Sequence, residues 1–308
     1  MDGNEKVKLE RKKASDFPQE LLNLLDSYVH VPSGGATSSR ARENSPPPPS
    51  PPPRWWRCWH LTTPDYAWAI QVPEDDKRIR TETVRVPSPA GTGHIDCYLV
   101  RPANAKGKLP AIIVIHENRG LNPYVKDVAR RFATAGYMAL TPDGLSSVGG
   151  YPGDDEKGGA LFRTVDGAKM REDLHAAAVY VKNRPDSTGK LGAVGFCFGG
   201  GVVGYLAVRM GADLAAGVPF YGSQPAVEDV PRIKAPLNVQ MGELDARINA
   251  GWPAFDAALT QAGVPQEGHI YPGVNHGFHN DTTPRYDEAA AKKAWQRTLD
   301  WFDKYVKA

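Results

Sequence analysis

Short apolar runs alternate with segments of helical spacing over most of the chain, from about residue 80 onward. The most apolar run, AIIVIH at 111–116, precedes a segment at 123–135 that has a proline in its first turn and a glycine just beyond its end, as helices commonly do. Strands that alternate with helices predict right-handed crossovers, so we expect an α/β fold with a mainly parallel sheet and helices on both faces. The predicted strands are 95–100, 111–116, 137–140, 191–195, 215–220, 237–241 and 269–271, and the predicted helices are 123–135, 170–183, 200–210, 253–261 and 286–305.

The first 75 residues have a different pattern. Residues 17–28 carry leucines at helical spacing behind Asp16, a typical helix-capping residue, which predicts a short amphipathic helix within an N-terminal extension, residues 1–32. Residues 33–75 are rich in Gly, Arg and Pro, a composition that cannot bury a core, and they predict a poorly ordered linker. We therefore expect the folded domain to span residues 76–308.

Composition and charge indicate what kind of molecule the protein binds and in which compartment it works. Hydrophobic residues make up 41% of the chain and charged residues 23%, which is ordinary for a soluble globular protein. A net charge of +2 predicts neither nucleic acid nor a membrane surface as partner, and a small-molecule substrate is expected instead. The three cysteines cannot all pair, and the N-terminus lacks the apolar run of a secretory signal, so a reducing, cytoplasmic location is expected. The chain is expected to be a monomer or a homodimer.

The segment GFCFG at 195–199 is the first candidate for chemistry. It follows a predicted strand and precedes a glycine-rich helix start, which is the setting of the nucleophile elbow in the α/β-hydrolase fold. In such an elbow Cys197 projects over the sheet beside the positive end of the next helix, which favours a thiolate. The alternative is a buried structural cysteine next to a glycine-rich turn.

A thiolate nucleophile needs a base and an acid that orients the base, and in this fold they follow in the order nucleophile, acid, histidine. Asp245 comes just after the predicted strand 237–241, and His276 just after the strand 269–271. Both positions suit a catalytic triad with Cys197. Glu243 is the alternative acid and His279 the alternative base.

The loop HENRG at 116–120 follows the most apolar strand. In this fold that loop donates one backbone N–H to the oxyanion hole and the residue after the nucleophile donates another, so Asn118 and Phe198 are the candidate donors. Glu117 would keep a nearby thiol protonated unless it moved or paired with a cation, for which Arg119 is a candidate. Glu117 could also simply cap the next helix. The histidines lack the spacing of metal ligands, and no metal or cofactor is expected.

At these residues the sequence resembles the dienelactone hydrolase family (carboxymethylenebutenolidases), from about Arg80 to the C-terminus. The resemblance is to a bacterial subgroup, and it is carried by HENRGLNPY at 116–124, PDGLSSVGGYPG at 142–153, GFCFGGG at 195–201, PFYG at 219–222 and YPGVNHGFHNDTTPRYDEAAA at 271–291. The resemblance implies an α/β-hydrolase fold and a cysteine esterase whose triad matches Cys197, His276 and Asp245. It also implies a glutamate, matching Glu117, that pairs with the resting thiol and swings away when substrate binds.

The substrate pocket is where the sequence departs from the family. The best-known members hold a substrate carboxylate with two arginines, and Ser147 and Asn280 occupy those positions here. This departure counts against dienelactone itself as the substrate, because paired arginines are the usual device for binding a carboxylate. The candidate pocket residues are Arg119, Tyr221, Arg247 and Asn280, and Arg163 is a further possible substitute for a missing arginine.

The sequence therefore predicts a hydrolase that cleaves a carboxylic ester or a lactone through an acyl-cysteine intermediate. The alternative hypothesis is a non-catalytic or redox-sensing protein that keeps the same fold and uses Cys197 as a reactive thiol.

Overall fold

A computed structural model describes Gln19 and residues 69–308. Residues 79–308 form a single sheet with helices on both faces, which confirms the predicted α/β-hydrolase fold. The strands are β1 (Ile79–Ser88), β2 (Gly93–Pro102), β3 (Leu109–Ile115), β4 (Met138–Pro142), β5 (Ser187–Phe196), β6 (Ala216–Phe220), β7 (Leu237–Gly242) and β8 (Gln266–Tyr271). The helices are α1 (Pro123–Thr134), α2 (Asp155–Phe162), α3 (Gly167–Lys182), α4 (Phe198–Met210), α5 (Ala246–Asn249), α6 (Trp252–Gln261) and α7 (Glu288–Phe302).

The eight strands lie in the order β1-β2-β4-β3-β5-β6-β7-β8. The pairs β1–β2 and β2–β4 are antiparallel, and every other pair is parallel. A parallel arrangement brings the carboxyl ends of β3, β5, β6, β7 and β8 to one edge of the sheet, where ligands bind in open α/β folds. All the segments predicted to carry chemistry follow these strand ends.

The core consists of two apolar layers, one on each face of the sheet. Buried side chains of α3, α4 and α6 pack on one face, and those of α1 and α7 pack on the other. The central strands β3, β4, β6 and β7 are buried throughout or nearly so, as expected for parallel strands that are covered on both sides. This rigid sheet holds the loops at its carboxyl edge in place.

The packed part of the chain begins before residue 76, where the sequence places the end of the linker. The backbone N–H of Val72 donates to Asp127 of α1 at 2.8 Å, and the side chain of Gln71 donates to Asp281 at 3.1 Å. Arg131 of α1 bridges Asp127 and Asp281, with 2.8 Å to Asp281. Burial of Val72 explains why residues 69–75 pack on the domain rather than belong to a solvated linker. Apart from Gln19, residues 1–68 of the predicted extension and linker lie outside the described residues.

Candidate active site

Cys197 lies at the turn between β5 and α4 in a strained backbone conformation, with φ 55° and ψ −112°. Positive φ is rare for residues other than glycine and is typical of functional positions. A Cβ atom at Gly195 would lie 2.1 Å from the carbonyl oxygen of Gly199, and one at Gly199 would lie 2.4 Å from the carbonyl oxygen of Ile115. Both glycines are therefore needed for the strand and the helix to approach each other, as the elbow requires.

The side chains of His276 and Asp245 are joined at the carboxyl edge of the sheet. Nδ1 of His276 lies 2.5 Å from Oδ2 of Asp245, and both residues are buried. Oδ1 of Asp245 also accepts from the backbone N–H of Ile248, which caps α5 and holds the carboxylate in place. The predicted acid and base are thus in contact.

The proton affinity of His276 depends on Cys197. Burial alone would lower the pKa of His276, but the charge of the Cys197 thiolate, the hydrogen bond from Asp245 and a hydrogen bond with Cys197 outweigh it and raise that pKa to about 9. Opposite charges in a buried site stabilise each other strongly because the local dielectric constant is low. The arrangement is therefore suited to an imidazolium paired with a thiolate.

The two alternatives for the acid and the base are engaged elsewhere. Nδ1 of His279 lies 2.7 Å from the hydroxyl of Tyr124, and its ring stacks on Phe196 with ring centres 5.1 Å apart. Burial and the charge of Arg131 hold the pKa of His279 well below its usual value, so this imidazole is neutral. Glu243 is exposed and accepts from the backbone N–H of Gly273 at 2.7 Å.

The two candidate oxyanion donors, Phe198 and Asn118, follow β5 and β3. Phe198 is the first residue of α4, so its N–H is at the positive end of that helix. Asn118 lies in the loop after β3. Nε2 of His116, at the start of this loop, accepts from the backbone N–H of Gly144 at 2.9 Å, which ties the loop to the segment after β4.

Glu117 carries a second carboxylate of the site. Its Oε2 accepts from Nδ2 of Asn280 at 2.7 Å, and its Oε1 lies 3.5 Å from the hydroxyl of Tyr221. Burial, followed by the charge of Cys197, raises the pKa of the Glu117 carboxyl above its usual range. Glu117 is not the helix cap: the side chain of Asn122 caps α1 by accepting from the N–H of Val125.

The four candidate pocket residues are not in one place. Tyr221 and Asn280 contact Glu117, whereas Arg247 is exposed on α5. The side chain of Arg119 lies against α2, because a Cβ atom at Gly159 would be 1.9 Å from Nη1 of Arg119. Ser147 and Arg163, at one missing-arginine position and one proposed substitute, are both exposed.

Sequence reasoning did not find Arg285. Its charge lowers the pKa values of both Glu117 and Tyr221, opposing the effect of burial, so its guanidinium acts on the site. The signal in the sequence was the PRY segment at 284–286, which lies within the motif that carries the family resemblance. Arg285 lies nine positions after His276, and the path of the loop between them could not be read from the sequence pattern.

A surface cavity of about 280 Å³ opens beside the elbow. Its wall is shared by Phe198, by a largely apolar stripe of α4, by Arg171 of α3 and by the segment 224–226 after β6. Within Gln19 and residues 69–308, no group of three or more His, Cys, Asp or Glu residues could hold a metal ion. In the same part of the chain, no helix is long and apolar enough to cross a membrane.

The chain is similar to known proteins of one family. The chain is 32% identical over 250 residues to a carboxymethylenebutenolidase-like protein of Saccharolobus solfataricus, an alignment that covers 69% of this chain and 95% of that protein. It is 59% identical over 106 residues to the hydrolase-like fragment YghX of Escherichia coli, which covers 34% of this chain and 91% of the fragment. The crystal structure of a dienelactone hydrolase-like protein from Klebsiella pneumoniae matches with a TM-score of 0.65 at 29% identity, over 74% of this chain and 99% of that chain.

Two family profiles match different parts of the chain. A profile described as YqhI-like matches residues 9–31, in the N-terminal extension. The profile of the dienelactone hydrolase family matches residues 95–306, from β2 to the C-terminal turn. The chain therefore belongs to the dienelactone hydrolase family.

Proposed function

We propose that this protein is a carboxylic ester hydrolase that cleaves an ester or a lactone through an acyl-cysteine intermediate. The observation that carries the proposal is the pairing of a strained Cys197 on the elbow with a buried His276 that is bonded to Asp245. Membership of the dienelactone hydrolase family supports the same class of reaction.

In the proposed mechanism the Cys197 thiolate attacks the substrate carbonyl, and the N–H groups of Phe198 and Asn118 stabilise the resulting oxyanion. Collapse of the tetrahedral intermediate expels the alcohol, which takes its proton from His276. Neutral His276 then takes a proton from water as the water attacks the acyl-cysteine. The thiolate leaves and the imidazolium is restored.

Asp245 keeps His276 in the tautomer that this cycle requires. Glu117 acts on the thiol as a negative charge that disfavours the thiolate when the two are close.

The test is hydrolysis of short-chain aryl esters by the wild type and by Cys197→Ala. We expect a burst of aryl alcohol equal to the enzyme concentration in the wild type, inhibition by iodoacetamide, and loss of both in the variant. Cys97→Ala is the matched control, because burial raises the pKa of the Cys97 thiol and this cysteine lies in the core. Equal activity in the wild type and in Cys197→Ala would refute the proposal and favour the redox-sensing alternative.

A further inference from the structure

The guanidinium of Arg285 lies along the backbone next to His276. A Cβ atom at Gly277 would lie 3.2 Å from Nη2, 3.3 Å from Cζ and 3.4 Å from Nε of Arg285. Gly277 has φ +80°, a conformation that glycine adopts readily, and its missing side chain lets the planar group approach. Arg285 is half-buried, and Nη1 is buried from solvent. The positive charge is therefore held inside the loop that carries the catalytic histidine.

Cys197, Arg285 and His276 are the charged groups with the largest effects on the Glu117 carboxylate, and the hydroxyls of Tyr124 and Tyr221 also interact with it. Cys197 opposes ionisation of Glu117, whereas Arg285 and His276 favour it, and Arg285 has the larger effect of the two cations. His276 changes charge during the proposed cycle, but a guanidinium remains charged at every accessible pH. Arg119, the cation expected from the sequence, lies against α2 instead.

We propose that Arg285 is a positioning residue that holds a negative charge on Glu117 beside Cys197. This role rests on the proposed cysteine hydrolase function. Asn280 supplies a hydrogen bond to the same carboxylate, so one loop provides both the donor and the charge that stabilise the ionised form. Without the guanidinium, a carboxyl group in this buried position would keep its proton to a higher pH.

The role has a consequence for the thiol. An ionised Glu117 repels the thiolate, and a protonated Glu117 does not. Because the two groups interact, their protons are released in coupled steps, and a change at Glu117 moves the pH at which Cys197 becomes reactive. Arg285 therefore sets the pH range of the nucleophile through Glu117, without touching the substrate.

The test compares Arg285→Gln and Arg285→Lys, each in the wild type and in the Glu117→Gln background. The measurement is the rate of Cys197 alkylation by iodoacetamide against pH, followed by mass spectrometry of the peptide that contains Cys197. We expect Arg285→Gln to move the midpoint of alkylation downward by about one pH unit, because a protonated Glu117 no longer repels the thiolate; a charge a few ångströms away has an effect of this size in a partly buried site. Arg285→Lys keeps the positive charge, so its shift should be less than half of that in Arg285→Gln. In the Glu117→Gln background the midpoint should not shift.

Equal shifts in both backgrounds would overturn the proposal, because Arg285 would then act on the thiol directly, and no shift in either background would overturn it as well. Arg297→Gln is the matched control: Arg297 is another half-buried arginine, hydrogen-bonded to Tyr271, and its loss should leave the midpoint unchanged. If Arg285→Gln does not fold, Arg285→Lys should give a smaller downward shift that again depends on Glu117. Alkylation does not require turnover, so the result is independent of whether aryl esters are hydrolysed.

Discussion

Nδ2 of Asn280 lies 2.7 Å from Oε2 of Glu117. The best-known members of the family have at position 280 an arginine that holds the substrate carboxylate, and here a neutral amide binds a carboxylate of the protein itself. The amide is also braced, because Oδ1 of Asn280 accepts from the N–H and the hydroxyl of Thr282. The side-chain donor at position 280 is therefore engaged by a carboxylate of the protein itself.

Asn280→Asp should make Cys197 less reactive at neutral pH. Aspartate keeps the acceptor for Thr282 but replaces the donor to Glu117 with a second negative charge near the thiolate. We expect the midpoint of iodoacetamide alkylation to rise by about half a pH unit or more. Asn183→Asp introduces the same charge at the exposed end of α3 and should have no effect. Identical profiles for the two variants would contradict this interpretation of Asn280.

Asp245→Asn should reduce kcat for ester hydrolysis by about 100-fold or more, because an amide cannot hold His276 in the required tautomer or stabilise its charged form. The protein should still fold, since the amide oxygen can accept from the N–H of Ile248 as the carboxylate does. Glu243→Gln is the matched control, since Glu243 is an exposed carboxylate two residues away. A larger loss in Glu243→Gln than in Asp245→Asn would show that the acid has been misassigned.

Cys197→Ser should lower the pKa of His276 from about 9 towards its ordinary value of 6.5, because the thiolate is the largest of the contributions that raise it. NMR titration of the imidazole would measure this change directly. Stability should follow the same linkage: a raised pKa in the folded state contributes stability that is fully present below pH 6.5 and is lost as the pH rises through about 9. The wild type should therefore lose more unfolding free energy than the variant between these two pH values. A His276 that titrates identically in both proteins would exclude the thiolate–imidazolium pair.

Gly199→Ala should destabilise the fold by about 3 kcal/mol or more, since its Cβ would lie 2.4 Å from the backbone carbonyl of Ile115, which cannot move aside cheaply. Activity should fall with it, because the elbow geometry would change. Gly167→Ala is the matched control: it lies at the first position of α3, and a Cβ there has no neighbour within 4 Å. Urea unfolding of the two variants distinguishes a steric effect at the elbow from a general effect of replacing glycine.

Arg131→Met should destabilise the domain by about 3 kcal/mol, because it leaves Asp127 and Asp281 as buried carboxylates without their shared cation. The loss should be smaller at acidic pH, because burial raises the pKa of Asp281 and, without Arg131, this carboxyl takes up a proton more readily. Chemical denaturation at two pH values measures the difference. Equal destabilisation at pH 5 and pH 8 would mean that lost packing, rather than charge, is responsible.

The fold and the order of the reactive groups could be predicted because a parallel sheet leaves strong signals. Cys197 directly follows the buried end of β5, and Asp245 follows the buried strand β7 by three residues. Strand β8, before His276, gives a weaker signal because most of its side chains are exposed or half-buried. Strand β1 was not predicted, since it lies at the edge and most of its side chains are exposed or half-buried. Helix α2 was not predicted either, because its two glycines weaken the helical pattern.

The directions of loop side chains were the part that the sequence could not determine. Arg119 is two residues from Glu117, yet it faces α2, whereas Arg285 acts on Glu117 from the end of a long loop. Which arginine acts on Glu117 depends on where a guanidinium can pack. Gly159 leaves space for the guanidinium of Arg119, and Gly277 leaves space for that of Arg285. Closeness in sequence to Glu117 therefore did not predict which arginine acts on it.

The packing of Arg119 against α2 has a consequence for how the family diverges at two adjacent positions. A Cβ atom at Gly158 would lie 2.4 Å from the backbone carbonyl oxygen of Arg119, a contact that remains whatever residue occupies position 119. A Cβ atom at Gly159 would instead collide with Nη1 of the Arg119 side chain. Among relatives that keep this helix, position 158 should hence remain glycine whatever residue occupies position 119. Position 159 should covary with position 119, with larger residues at 159 wherever a short side chain replaces the arginine.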